Sequence, residues 1–270
     1  MDRKQTFAAT TDAGAPRRFV FVLLENFTLL SFAAAVDCLR IANLMAGREL
    51  YTWVLAGDGG DTVVSAGGVS FNVDMDLGEL RRDDHLMICG GRDVQSATNR
   101  RIVSWLRREA RRGLVVGGLC TAAHTLARAG LLDDKRATIH WENQDSFAED
   151  FPDVNLTKSV FVKDGNRWTT AGGTSSIDLM LQVIADQYGE DLASSVADQQ
   201  IYSAIRTDQD TQRLSIPTRI GVRHPKLSRV IQMMDMPTSL ASRSGCSGAT
   251  STAARNAITW SCACKRRATC

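Results

Sequence analysis

The residues best placed to do chemistry are Gly117-Gly118-Leu119-Cys120-Thr121-Ala122-Ala123. Small neighbours on both sides of a cysteine tolerate a sharp strand-to-helix turn, and a helix N-terminus beside the sulfur stabilises a thiolate or a bound anion. A cysteine in this setting is equally well a buried small hydrophobe. His140 follows at the end of a predicted strand, where an α/β fold can carry it above the sheet beside Cys120. Such a pair supports acyl transfer if the imidazole takes the thiol proton and a third group orients it. A lone histidine is more often structural, so only the pairing gives His140 its interest. Cys246, Cys262, Cys264 and Cys270 crowd the C-terminal end with Cys-x-Cys spacing and no histidine nearby, so a zinc site is a weak reading and no metal or cofactor is expected.

Positioning that turn requires a sheet. Residues 18–24 (RFVFVLL) form a short apolar run suited to a strand buried on both faces, and 29–46, closed by Gly47, have the apolar spacing of a helix. Further strands are expected at 51–56, 85–89, 114–116, 137–141, 159–163 and 168–171, with a hairpin over 62–73 around Gly67-Gly68. Helices are expected at 99–112, 122–129, 176–188 and 191–205, and 206–213 reads as a polar linker. Strands alternating with helices predict an α/β fold with a doubly wound, mostly parallel sheet, whose ligands collect beyond the carboxyl ends of the strands.

The chain has 270 residues, 44% hydrophobic and 23% charged, which suits an ordinary globular protein with one full domain and a smaller unit. No apolar run approaches the roughly 20 residues of a membrane span, and residues 1–16 lack a signal-peptide centre, so a cytoplasmic protein without membrane partners is expected. A reducing compartment makes disulfides a poor account of Cys38, Cys89 and Cys120. All 30 acidic residues fall at or before Asp235, so residues 236–270 carry only basic charge.

Several motifs in order resemble one family. These are the run from Gly118 to Ala127, Gly130-Leu131-Leu132, Ala137 to Glu142, Phe27-Thr28-Leu29-Leu30 with Asp37 to Asn43, and Ala171-Gly172-Gly173-Thr174 with Ile177-Asp178-Leu179. Together they resemble the class I glutamine amidotransferase-like sensor domain of AraC-type transcriptional regulators, especially those sensing glycine betaine, arginine or related amines. The resemblance implies a homodimer whose pocket at the cysteine elbow binds a small metabolite. It implies ligand contacts from Glu25, Gly90, Gly91, Gly118, Leu119, Cys120, Thr121, His140, Trp141, Glu142 and Gly173. Trp141 offers an aromatic face and Glu142 a carboxylate for a cation, while elbow amides near Cys120 and Thr121 offer a place for a ligand carboxylate. The alternative is that Trp141 is core and Glu142 a solvated charge.

Enzymes of the superfamily place an acid beneath the cysteine, but here the segment reads Leu30-Ser31-Phe32-Ala33-Ala34. Binding rather than catalysis is therefore expected. The competing reading is a cysteine-dependent amidase or deglycase using Cys120 and His140.

The resemblance also implies two helix-turn-helix units that read DNA. The expected organisation is a leader (1–17), the sensor (18–190), a helical connector and linker (191–216), the start of a truncated helix-turn-helix domain (217–235) and a tail (236–270). That tail shows no apolar periodicity. Shifting a family-like stretch, MELRLQKARN, by one base in a permitted coding gives WSCACKRRA, the residues 260–268, so a frameshift near Met236 is expected and DNA binding by this chain would be weak or lost. Resequencing that returned an intact frame, with no family-like sequence in its neighbour, would remove this expectation.

Overall fold

The computed structural model describes residues 15–212. The expected truncated helix-turn-helix, the frame-shifted tail and its four cysteines lie outside them. The chain divides into two units between residues 214 and 215, and every described residue falls in the first. In chain order its elements are β1 (Arg17–Leu23), α1 (Leu29–Ala46), β2 (Tyr51–Gly57), β3 (Thr62–Val64), β4 (Ser70–Asn72), β5 (Met75–Asp76), β6 (His85–Cys89), α2 (Val94–Ala97) and α3 (Arg100–Ala110). They continue with β7 (Val115–Leu119), α4 (Ala123–Arg128), β8 (Arg136–Ala137), α5 (Gln144–Asp150), β9 (Asn155–Leu156), β10 (Phe161–Asp164), β11 (Arg167–Thr170), α6 (Ser175–Tyr188) and α7 (Glu190–Gln199).

Seven strands form one sheet in the order β10-β11-β7-β6-β1-β2-β5. Every neighbouring pair is parallel except β10 with β11. This is the expected doubly wound sheet. Its order reverses at β1, from which the chain runs to β2 on one side and returns through β6 and β7 on the other. The carboxyl ends of β1, β6 and β7 therefore flank the switch point, where this architecture leaves a crevice.

Strand β1 shows why the layers form. Phe19, Phe21 and Leu23 point into the core shared with α1, α6 and α7, while Val20 and Val22 point into the core shared with α3, α4 and α5. An uninterrupted apolar strand is the outcome of burial on both faces. Helix α1 ends at Gly47 in the left-handed region (φ 64°), and the Asn43 side chain bonds Leu50 and Tyr51, fixing the entry to β2. Among the described residues α1 is also the one helix long and apolar enough to cross a membrane, but it packs against α6 and α7.

Four expectations are corrected. Strand β7 runs through Gly117 and Gly118 instead of stopping there, because it lies between two strands: a Cβ at Gly117 would sit 2.5 Å from Cε of Met87 on β6. The strand expected at 137–141 ends at Ala137, since the Thr138 amide donates to Thr169 Oγ1 (2.9 Å) and residues 141–143 form a 3-10 turn. The helix expected to reach 205 stops at Gln199. Residues 206–212, expected as part of a linker, lie hydrogen-bonded back onto the domain.

Candidate functional site

The turn after β7 is held from three sides. Cys120 sits at φ 61°, a left-handed conformation costing a non-glycine residue about 1–3 kcal/mol, and the surroundings over-determine it. Its N–H faces Thr170 Oγ1 on β11 (3.4 Å), and Thr121 Oγ1 donates to the Gly91 carbonyl (2.7 Å). The Thr28 hydroxyl before α1 reaches Cys120 Sγ (3.5 Å). Glycines make the approach possible. A Cβ at Gly90 would lie 2.5 Å from the Ala122 nitrogen, one at Gly91 2.1 Å from the Asn26 carbonyl oxygen, and one at Gly172 2.6 Å from the Cys120 sulfur.

The thiol is 5% exposed. Burial pushes its pKa up, outweighing the hydrogen bonds from Thr28, the Thr121 amide and Ser31 that favour a thiolate. Ser31, in the segment without a carboxylate, accepts from the Gly173 amide (2.7 Å). Among the described residues the hydrogen bonds to the sulfur come from hydroxyls and an amide, and none from a carboxylate.

A cavity of about 580 Å³ opens above the elbow, beyond the carboxyl ends of β6 and β7. It brings together Gly91, Cys120, Thr121, His140, Glu142 and Gly173 from the expected set. Gly118 and Leu119 lie in β7 beneath it, and Gly90 packs against the elbow backbone. Glu25 lines a different, neighbouring hollow of about 290 Å³ with Asp58 and Asn99. Trp141 is not among the lining residues; it is 41% exposed and packs its ring against His140 (centroids 5.6 Å apart). His140 Nδ1 is turned toward Glu142, accepting from its amide (3.4 Å) and lying 3.8 Å from its carboxylate. The geometry therefore gives His140 a partner other than the thiol.

Sequence reading missed most of the wall. Helix α5 was not expected, yet Asn143, Ser146, Phe147 and Asp150 present one face to the cavity at the i, i+3, i+4, i+7 spacing of a helix. His124, one turn past the elbow, completes that wall. It is 8% exposed, Phe151 stacks edge-on against it (5.2 Å), and its buried Nδ1 has no partner among the described residues. Burial and then Arg128 push its pKa down, which keeps the imidazole neutral. Arg92 and Asp93 enter from the loop after β6, directly behind the visible Gly90-Gly91 signal. Three carboxylates (Asp93, Glu142, Asp150) against one guanidinium (Arg92) make the lining net acidic. Such a lining can take a cation at the acids and an anion at Arg92. Among the described residues no cluster of histidine, cysteine or carboxylate side chains is suited to a metal ion.

Comparison with known proteins gives a consistent answer. The model of the DJ-1/PfpI family matches residues 17–186. The chain is 44% identical over 221 residues to the HTH-type transcriptional regulator CdhR of Pseudomonas aeruginosa, covering 82% of this chain and 65% of CdhR. It is 38% identical over 230 residues to the HTH-type transcriptional regulator GlxA of Rhizobium meliloti, covering 84% of this chain and 71% of GlxA. The crystal structure of an AraC family transcriptional regulator from Pseudomonas putida shares 32% identity with a TM-score of 0.61, covering 68% of this chain and all of that one. The chain thus spans just under two thirds of the length of CdhR.

Proposed function

The chain belongs to the DJ-1/PfpI family, and on that premise we propose that it is the sensory part of an AraC-type, HTH-type transcriptional regulator. In this reading it is a cytoplasmic homodimer that binds a small zwitterion, such as a betaine or a basic amino acid, above Cys120. DNA binding would belong to a helix-turn-helix module. The observation that carries the reading is the acidic cavity over a thiol kept neutral by burial. A site built for hydrolysis needs a thiolate and a base within hydrogen-bond reach of it. Here the sulfur meets the hydroxyls of Thr28 and Ser31, while His140 meets Glu142.

Recognition then divides by charge. The Arg92 guanidinium receives the ligand carboxylate; Glu142, Asp150 and Asp93 receive its cationic end. Calorimetry with glycine betaine and with arginine tests this. At least one should bind, Glu142→Gln or Asp150→Asn should weaken it about tenfold, equivalent to ~1.4 kcal/mol, and Trp141→Ala should change affinity by less than about twofold. Absence of heat with every small amine carboxylate would reject the reading. Turnover of an amide or of glyoxal that disappears in Cys120→Ser would favour the enzyme instead.

A further inference from the structure

The sequence marks residues 206–213 as a linker, yet 200–212 is among the most heavily bonded non-regular segments of the domain. It is anchored twice. At the first anchor, Arg206 grips Asp178 of α6: its amide donates to Oδ1 (2.9 Å), and Nε and Nη2 donate to Oδ2 (2.9 and 2.7 Å). The Tyr202 hydroxyl adds a bond to the same carboxylate (3.0 Å), and Arg206 Nη2 also reaches Thr174 Oγ1 (2.8 Å). The Asp178 side chain is completely buried, so this anchor is charged, desolvated and satisfied.

At the second anchor, Gln212 Nε2 faces three acceptors: Thr138 Oγ1 (2.9 Å), the Ile139 carbonyl (2.8 Å) and the Ser159 carbonyl (3.2 Å). The backbone adds Val160 N–H to Asp210 O (2.9 Å), Gln212 N–H to Lys158 O (3.1 Å), and a bridge between Ser159 and Thr211. The other half of the Gln212 amide is unmatched, because Oε1 is buried with no partner among the described residues. A buried acceptor without a donor costs free energy, so this anchor holds less firmly than its bond count suggests.

Both anchors touch the wall of the cavity at one remove. Ile139, whose carbonyl Gln212 grips, lines the cavity; Gly173, which also lines it, precedes the Thr174 that Arg206 grips. We propose that residues 200–212 are a strap coupling the cavity to the chain beyond residue 212, with Arg206 as the fixed end and Gln212 as the end that releases. Movement of the Ile139 wall on occupancy changes the hold on Gln212, and pull on the strap changes the wall. The signalling role rests on the sensory reading above, whereas the mechanical link between strap and wall does not.

Cys120 lies in the same cavity and reports its state without any ligand. In the full chain, iodoacetamide modification of Cys120 and Cys89 is followed by mass spectrometry, Cys89 being fully buried in β6 and far from the strap in the sheet order. Gln212→Ala, and independently Thr138→Val, should speed modification of Cys120 about threefold or more while the Cys89 rate is unchanged, because only a local opening separates the two. Equal acceleration of both cysteines would mean general loosening, and no acceleration would mean no link; either overturns the proposal. Hydrogen exchange with saturating arginine or glycine betaine then examines the signal. Slower or faster exchange across 200–212 is expected, and an unchanged strap under a ligand that binds overturns the coupling. If the cysteine result holds but no amine binds, the strap stands and the sensory reading falls.

Discussion

A sulfur at the tip of a strained turn attacks only as the thiolate, and the surroundings of Cys120 favour the neutral thiol. Its pKa is raised, so the fold stabilises the neutral thiol: that contribution is complete below the ordinary thiol range and is lost as pH climbs toward the raised value. Iodoacetamide modification of Cys120 should therefore be slow near neutrality and climb with pH by about tenfold per unit, still rising where an ordinary thiol levels off above about pH 8.5. A rate already at its plateau near neutrality would contradict this. Gly172 is the second test at this scale. It combines φ 89° with a Cβ position inside the Cys120 side chain, so Gly172→Ala should cost about 2–4 kcal/mol in denaturant unfolding. Cys120 itself could be read from its glycine and alanine neighbours. The Thr28 contact could not, since it joins residues 92 apart, and Trp141 was misplaced because a predicted strand carried it past the point where Thr138 breaks the ladder.

Helices and strands were legible in proportion to how far local pattern decides them. Helix α1 could be placed to the residue, because an apolar run, an alanine-rich centre and a glycine stop agree. Strand β7 was cut short because glycine reads as punctuation, whereas here it gives room to Met87. Helix α5 was invisible: it has seven residues, and its cavity face mixes Asn143, Ser146 and Asp150 with Phe147, which hides the apolar stripe. The strap was read as a linker because its polar residues are satisfied by partners remote in sequence. Its strong end supplies a prediction: Asp178→Asn removes the charge that Arg206 and Tyr202 share and should destabilise the domain by about 1.5–3 kcal/mol, read as a lower denaturation midpoint at unchanged slope.

For the whole molecule, residues 200–212 bear on where the sensor unit ends. The expected organisation ends the sensor at residue 190, and hydrogen bonds onto the same unit continue to 212. A chain ending at 212 should keep the melting temperature of the longer protein, while one ending at 199 should melt about 10 °C lower, as expected for a loss of ~3 kcal/mol at this size. Equal melting temperatures would show that the segment adds nothing to the fold. The order of synthesis gives helix α1 a different significance. Its partners α6 and α7 begin at Ser175 and Glu190, so this helix, the one among the described residues long and apolar enough to cross a membrane, leaves the ribosome long before either can cover it. At a translation rate of about 5–20 residues per second the wait is about ten seconds. During that interval α1 looks, to the cell's targeting and quality-control machinery, like a segment bound for the lipid bilayer, so this protein should draw on holding chaperones while it is being made.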